Sequence, residues 1–274
     1  MDEGASRSAI DEAADRLQAA ADMRVACPPV RDLIGGAGTT AAYAVQRELT
    51  RRRVRAGGRV VGWKIGVTSQ AAQELLGTDR PAFGALLHDM DFPDGALVPY
   101  DRLMQPRIEA EVAFVLGEDL AEGELGYHRV EAAVSHVVAA LEVADSRIAD
   151  WDIQLADTVA DNASSGGFVL GLHRVGLAKL TPRDVTMRMV VSGHEDSTGS
   201  GAACLGDPLL AVQWLAREAR DLGTPLLAGH VVLSGALGPS RPVEPGASAT
   251  ATITGLGSVS VRFSEPHEEL RPAP

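Results

Sequence analysis

Cysteine is scarce in this sequence, and long apolar runs are absent. The two cysteines, Cys27 and Cys204, are far apart and follow neither a metal-ligand nor a redox spacing, so we expect a reducing compartment and no disulfide. No stretch of about 18 apolar residues occurs, so we expect no transmembrane helix. The opening residues are acidic and amphipathic, unlike a signal peptide. The sequence therefore predicts a cytoplasmic protein that is not exported and has no membrane partner.

The chain also lacks an excess of positive charge. Its formal net charge is −12 at pH 7, and the arginines at positions 51–53 lie within a helical pattern instead of on a basic face rich in aromatic residues. An acidic protein of this kind repels phosphate backbones, so we expect no nucleic-acid partner. A small anionic substrate remains possible, because a bound divalent cation reverses the local field.

Lysine is almost absent. Of the 25 basic residues, only Lys64 and Lys179 are lysines, which indicates a bias towards arginine. A lysine that persists under such a bias can be needed for its chemistry, since an ammonium group loses its proton when desolvated and a guanidinium effectively does not. Chance survival is the alternative, and composition alone leaves both open.

The N-terminal part of the chain has helical spacing. Apolar residues recur with a helical period over residues 8–24, and Thr39 or Thr40 can cap a second helix that ends near Gly57. From residue 59 the texture changes to short β-rich runs separated by glycine, proline and aspartate. We therefore predict a helical domain over residues 1–58, a catalytic domain over residues 59–265 and a disordered tail over residues 266–274.

Strand signals dominate the second part. Two helices interrupt the strands, one predicted over residues 127–141 and one over residues 208–222, and the Gly/Ser/Asp-rich residues 192–206 are predicted to form a long surface loop. Because strands and helices do not alternate regularly, a doubly wound parallel fold and a TIM barrel are disfavoured. The pattern favours a mixed, largely antiparallel α+β domain.

Two glutamates alternate along one predicted strand. In RIEAEVAFVL, Arg107, Glu109 and Glu111 share one face, and apolar residues occupy the other. Same-face neighbours on a strand lie roughly 7 Å apart, close enough to bind one cation and costly if nothing neutralises them. A solvated outer face is the alternative. A third acid, Glu142, follows an apolar run and completes an oxygen donor set that suits Mg²⁺ or Mn²⁺.

Several segments, taken in order, resemble the 2-hydroxypenta-2,4-dienoate hydratases of the fumarylacetoacetate hydrolase superfamily. They are GWKIG, LGTDRPAFGALL, QPRIEAEVAFVL, LEVADSRI, DTVADNASSGGFVLG, CLGDPL, LSGALG and GLGSVSVRF. The likeness extends from about residue 30 to residue 263, and the block from Glu142 to Gly171 is long and specific. The resemblance implies a mixed β-roll domain preceded by a small helical one, and association into a homo-oligomer.

The resemblance also implies roles for particular residues. A Mg²⁺ or Mn²⁺ ion would be held by Glu109, Glu111 and Glu142. Family members place a lysine, an aspartate and a serine beside the substrate, and the matching residues are Lys64, Asp79 and Ser164.

Each of these residues has a structural alternative. Lys64 could lie on a strand surface, although its face of the strand otherwise carries only glycines. Asp79 could cap a turn before a proline, and the choice of Ser164 over Ser165 depends on the resemblance alone. Two roles are open for Arg107, which are binding a substrate carboxylate and neutralising the glutamates.

The function implied is a metal-dependent hydratase that adds water to a 2-hydroxy-2,4-dienoate and gives a 4-hydroxy-2-oxo acid. A 2-oxo-3-hexenedioate decarboxylase is the nearest alternative, because it needs the same metal-bound oxo-acid head. A non-catalytic binding or scaffold protein with the same fold is a further alternative. Hydrolysis of a diketone is least favoured, because no histidine–glutamate pair is evident and the nearest histidine, His88, fits a structural role.

Overall fold

Two β-sheets and seven α-helices form the described part of the chain, residues 5–35 and 38–266, in a computed structural model. The helices are α1 (Arg7–Met23), α2 (Arg31–Ile34), α3 (Thr39–Arg55), α4 (Gln70–Leu76), α5 (Tyr127–Ala133), α6 (Leu155–Ala160) and α7 (Pro208–Asp221). Within these residues, no helix is long and apolar enough to cross a bilayer. Apart from Pro266, the tail predicted to be disordered lies outside the described residues.

The larger sheet contains eight strands, in the order β2-β1-β10-β5-β6-β7-β3, with β11 pairing with β5. Its strands are β1 (Val60–Gly66), β2 (Ala82–Leu87), β3 (Asp91–Phe92), β5 (Arg107–Leu116), β6 (Val134–Ala144), β7 (Ser165–Leu170), β10 (Val231–Ala236) and β11 (Arg241–Pro242). The sheet curls, so that the turn before β7 bonds to β2 near the opposite end of the strand order. One face carries a small apolar cluster that includes Ala113, Val138 and Leu233.

The smaller sheet contains five strands, in the order β4-β13-β12-β8-β9. Its strands are β4 (Leu97–Val98), β8 (Thr186–Val191), β9 (Ser197–Ser200), β12 (Ser248–Ile253) and β13 (Gly257–Phe263). β12 and β13 pack against β6 of the larger sheet. Most strand pairs are antiparallel, and the parallel ones are β1 with β10, β3 with β7 and β4 with β13. The predicted α+β class and the mixed, largely antiparallel β-roll are confirmed.

The N-terminal helices share a core with the larger sheet. Tyr43 on α3 stacks on Phe83 of β2, with ring centroids 4.8 Å apart. The Gln46 side chain donates to the carbonyls of Phe83 and Val159, both at 2.8 Å. α3 ends before, and β1 begins after, the predicted boundary at residue 58. Whether the helices form a domain of their own stays a prediction.

The predicted helix over residues 127–141 is wrong in its second half. α5 ends at Ala133, and residues 134–144 form β6, which pairs with β5 on one side and β7 on the other. A central strand is buried on both faces and therefore shows a continuous apolar run, which looks like a buried helix in sequence. The valines at positions 134, 137 and 138 favour the strand, because β-branched side chains pack well on a pleated surface.

The predicted surface loop over residues 192–206 is also wrong in part, because it contains β9. Ser197 and Cys204 are fully buried there. The glycines in this segment allow close backbone packing: a Cβ at Gly199 would lie 1.8 Å from the Leu237 carbonyl oxygen, and one at Gly201 would lie 1.8 Å from the Pro182 carbonyl oxygen.

Candidate active site

Two neighbouring strands bring three glutamates together. Glu109 and Glu111 alternate along β5, and Glu142 on β6 lies directly opposite Glu109 in the pairing register. One carboxylate oxygen from each residue lies within 4.8 Å of the others. Glu111 and Glu142 are 0% and 1% exposed, so the solvated-face alternative does not apply. The sequence prediction that these acids share a site is supported by their positions.

The glutamate cluster has no sufficient counter-charge of its own. Burial, and next the charge of Glu142, raise the pKa of Glu109 to about 7. Burial and the charges of Glu142 and Glu109 raise the pKa of Glu111 well above its ordinary value, although the Gly235 N–H donates to Glu111 Oε2 at 2.7 Å. Glu111 Oε1 and Glu142 Oε2 are buried without a hydrogen-bond partner among the described residues. Such oxygens fit a hard divalent cation such as Mg²⁺ or Mn²⁺.

Lys64 completes the cluster from β1. Its ammonium lies 2.7 Å from Glu142 Oε1 and donates to the Ala163 carbonyl oxygen at 2.7 Å. The side chain is buried, which lowers its pKa, but the charges of Glu142, Glu109 and Glu111 outweigh burial and leave the pKa raised. Lys64 is therefore an internal lysine held as a cation by the cluster.

The glycines beside Lys64 have different reasons. A Cβ at Gly62 would lie 1.9 Å from the Val231 carbonyl oxygen, so strand packing requires this glycine. A Cβ at Gly66 would lie 3.5 Å from Lys64 Nζ, in ordinary contact. Only Gly66 therefore leaves space next to the lysine, and the idea that both glycines clear room for a ligand does not hold for Gly62.

A left-handed turn supplies the carbonyl that Lys64 contacts. Asn162, Ala163 and Ser164 have successive φ values of 55°, 51° and 54°. Each residue of this kind costs about 1 kcal/mol or more relative to ordinary backbone, so surrounding contacts must hold the turn. The sequence analysis missed this turn, and its only local signal is Asn162, the residue type that tolerates such φ values best after glycine.

Asp161 anchors the turn from its N-terminal side. Its buried carboxylate accepts hydrogen bonds from Ser146 Oγ and Ser164 Oγ, both at 3.1 Å, and forms an ion pair with Arg147. Burial raises the pKa of Asp161, and Arg147 opposes that rise. The Ser164 hydroxyl is thus already engaged as a donor, while the Ser165 hydroxyl donates to the Asn162 carbonyl at 2.8 Å.

Arg107 lies at the rim of the cluster. It shares the strand face of Glu109, and its charge lowers the pKa of that residue. Its Nε donates to Ser240 Oγ at 3.1 Å, and its guanidinium carbon lies 5.8 Å from the centre of the Trp151 ring. Arg107 is therefore held in place without a direct ion pair to a glutamate.

Asp79 and His88 lie apart from the cluster. Asp79 is exposed in the turn after α4, and it has no hydrogen bond or ion pair with any described residue. α4 itself has no buried residue. His88 Nδ1 accepts a hydrogen bond from the Arg59 backbone N–H at 3.2 Å, which is a structural contact at the far end of β2. The structure thus brings together all the predicted polar residues except Asp79.

Known proteins share this arrangement of sequence and fold. The chain is 48% identical over 253 residues to a 2-keto-4-pentenoate hydratase of Paraburkholderia xenovorans (strain LB400), which covers 92% of this chain and 94% of that protein. It is 41% identical to a 2-hydroxyhexa-2,4-dienoate hydratase of Comamonas testosteroni, over 82% of this chain and 86% of that protein.

Solved structures extend the comparison. The 4-oxalocrotonate decarboxylase from Pseudomonas putida G7, complexed with magnesium and adipate, is 33% identical with a TM-score of 0.89, over 94% of this chain and 98% of that chain. The fumarylpyruvate hydrolase from Pseudomonas aeruginosa, in complex with Mn²⁺ and pyruvate, is 19% identical with a TM-score of 0.59, which shows a shared fold alone. The model of the fumarylacetoacetate (FAA) hydrolase C-terminal family matches residues 69–264, so the chain belongs to this family.

Proposed function

We propose that this protein is a divalent-metal-dependent hydratase acting on 2-hydroxypenta-2,4-dienoate or a close homologue. The reaction moves the 2-hydroxyl proton and a proton at C5 to give a 2-oxo-3-enoate, and a water molecule then adds across C3 and C4. The product is a 4-hydroxy-2-oxo acid. The observation that carries this proposal is the buried cluster of three glutamates and one lysine in a chain 48% identical to a 2-keto-4-pentenoate hydratase.

Glu109, Glu111 and Glu142 would hold a Mg²⁺ or Mn²⁺ ion. Their donor set fits such an ion, because two buried carboxylate oxygens lack any other partner. When bound, the ion supplies Lewis-acid polarisation of the oxo-acid head. The carboxylates themselves fix where that head binds, since all three belong to two paired strands in the sheet interior.

Lys64 would move a proton of the dienol. Its ammonium is fixed by two contacts of 2.7 Å, to Glu142 and to the Ala163 carbonyl. A fixed donor beside the substrate head can deliver a proton to a carbon or stabilise a developing enolate. The lysine is the one cation buried within the cluster, among the described residues, so we assign it the central proton-transfer role.

Asp79 would orient the attacking water after the segment that carries it moves. The connection of residues 67–81 joins β1 to β2 at the end of the sheet where Gly66 pairs with Ala82, two residues beyond Lys64. Because α4 buries none of its residues, its displacement would sacrifice little apolar contact. We assign Arg107 and Ser164 to substrate binding, with the guanidinium facing a carboxylate and the serine oxygen accepting a hydrogen bond.

A decarboxylase acting on 2-oxo-3-hexenedioate is the second candidate, favoured by the TM-score of 0.89 to the 4-oxalocrotonate decarboxylase. The two activities need the same cluster, and they differ in whether a second carboxylate leaves as carbon dioxide. The hydratase is preferred because the identity to the hydratase relative is 48%, against 33% to the decarboxylase.

The test is direct. The purified protein is incubated with 2-hydroxypenta-2,4-dienoate, with Mg²⁺ or with EDTA, while dienol absorbance is followed and the product is identified by NMR. Mg²⁺-dependent formation of 4-hydroxy-2-oxopentanoate is expected. Release of carbon dioxide from 2-oxo-3-hexenedioate without hydration of the dienol would favour the decarboxylase, and turnover of neither substrate would leave the non-catalytic alternative.

We also propose a homo-oligomer in the cytosol. The cytosolic location is supported by Cys27 and Cys204, which are buried and free, as expected in a reducing compartment. The homo-oligomer is supported by the family resemblance alone.

A further inference from the structure

Asn162 bonds to a free edge of the larger sheet. β2 is the terminal strand in the strand order, so one of its edges has no partner strand. The Asn162 side chain takes that place at Ala85: its Oδ1 accepts from the Ala85 N–H at 2.7 Å, and its Nδ2 donates to the Ala85 carbonyl at 2.9 Å. Both halves of the carboxamide are used, so the pairing fixes the side chain in one orientation.

Gly84 lets the turn approach β2 closely. A Cβ at this position would lie 2.1 Å from the Asn162 carbonyl oxygen. The same carbonyl accepts the hydrogen bond from Ser165 Oγ. The turn is therefore held by hydrogen bonds on both sides of Asn162, against a strand that only glycine allows it to reach.

The clamped turn is adjacent to the lysine. Ala163 directly follows Asn162, and its carbonyl oxygen accepts from Lys64 Nζ at 2.7 Å. Gly84 is also the cross-strand partner of Lys64. A displacement of the turn would move this carbonyl, and Lys64 would keep only its contact with Glu142.

We propose that Asn162 is a positioning residue for the hydration reaction. Its side chain clamps the left-handed turn to β2, so that the Ala163 carbonyl holds the Lys64 ammonium where the substrate needs it. The inference rests on the proposed function and deepens it by naming the group that orients the proton-transfer residue. Small displacements of such a residue lower the rate of the chemical step more than they lower substrate binding.

The kinetic test uses Asn162→Gly, because glycine removes the carboxamide and still accepts a positive φ. The expected result is a fall in kcat of roughly 10- to 100-fold, with KM and the Mg²⁺ requirement changed by less than about threefold. Val191→Ala is the control: Val191 is buried in the smaller sheet, so its truncation lowers Tm but leaves kcat near wild type. Gly84→Ala, which displaces the turn from the other side, is the second variant and should show the same kinetic pattern.

A labelling test reads Lys64 without using activity. The chain contains only two lysines, and Lys179 is exposed. After acetylation with an N-hydroxysuccinimide ester, peptide mass spectrometry gives the rate at each lysine. In the wild type Lys64 should react at least roughly tenfold more slowly than Lys179, because its modification requires local opening. In Asn162→Gly the rate at Lys64 should rise several-fold, and the rate at Lys179 should stay constant.

The outcomes separate cleanly. A lower kcat together with faster acetylation of Lys64 supports the proposal. An unchanged kcat overturns it, and so does a lower kcat with Lys64 acetylated at the wild-type rate, because the variant would then act through another group. If the wild-type protein does not hydrate the dienoate, the proposed function fails, while the labelling rates still decide whether Asn162 holds Lys64.

Discussion

Replacing Glu109 by glutamine should affect the metal-free and the Mg²⁺-bound protein in opposite directions. In the metal-free protein Glu109 is a partly buried carboxyl whose pKa is raised from 4.5 to about 7, first by burial and then by the charge of Glu142. The folded protein therefore binds the Glu109 proton more tightly than the unfolded chain does. By linkage, this group favours the folded state at low pH, and that contribution is lost as the pH rises through about 7.

The size of the effect follows from the two pKa values. The difference between 4.5 and about 7 corresponds to about 3 kcal/mol. Glutamine carries no charge, so above about pH 8 the metal-free variant should be more stable than the wild type, by at most this amount. For a chain of this length, that gain is a rise in Tm of roughly 5 °C. Below about pH 5 the two proteins should unfold at similar temperatures.

Mg²⁺ should reverse this order. The wild-type protein gains stability from an ion that binds only the folded state, and the gain should increase with pH, because protons compete with the ion for Glu109 and Glu111. An amide lacks the charge that offsets the cost of dehydrating the ion, so the variant should gain little. Its hydratase activity should be abolished.

The assay is thermal unfolding followed by circular dichroism, at low and high pH, with EDTA and with excess Mg²⁺. The matched control is Glu244→Gln, which removes one charge at a surface position away from the cluster. It should retain both the Mg²⁺ response and the activity. If Glu109→Gln keeps a wild-type Mg²⁺ response and turns over the dienol, Glu109 is not a metal ligand and the reasoning is wrong.

Other perturbations separate the remaining roles. Lys64→Arg should lower kcat by roughly 100-fold or more while the Mg²⁺-induced rise in Tm persists; near-normal kcat would restrict Lys64 to an electrostatic role. Asp79→Asn should lower kcat without changing Tm, since Asp79 is exposed, and unchanged kcat would remove it from the mechanism. Ser164→Ala should cost about 1–2 kcal/mol of stability, measured by urea unfolding, because Asp161 loses a buried donor; unchanged stability would contradict that contact. Sedimentation should detect an oligomer, and a single species of 28.7 kDa would contradict association.

The glutamate cluster was predictable because alternation along one strand is a local property. A period of two places Glu109 and Glu111 on one face whatever the rest of the fold does. The partner Glu142 depended on register, which the residues of a single strand do not encode. The family resemblance supplied it, and the observed pairing of Glu109 with Glu142 agrees.

The failures have a common physical origin. β6 was mistaken for a helix because burial on both faces removes the alternation that distinguishes a strand. The glycines near β9 looked like a loop, but they allow close approach to carbonyls far away in sequence. The turn at Asn162 also depends on distant groups, since its side chain bonds to Ala85. Contacts across such distances leave little trace in local sequence pattern.

Charge balance explains how an acidic protein could accept an anionic substrate. Three carboxylates and one ammonium leave the ionised cluster with two negative charges, the charge that one divalent cation neutralises. Without the ion, the same cluster would repel the carboxylate of a dienoate. With the ion, the nearby Arg107 makes the rim net positive. Metal binding would therefore have to precede substrate binding, so the KM for the dienoate should rise as Mg²⁺ becomes limiting. A KM independent of Mg²⁺ concentration would show that the substrate carboxylate is bound elsewhere.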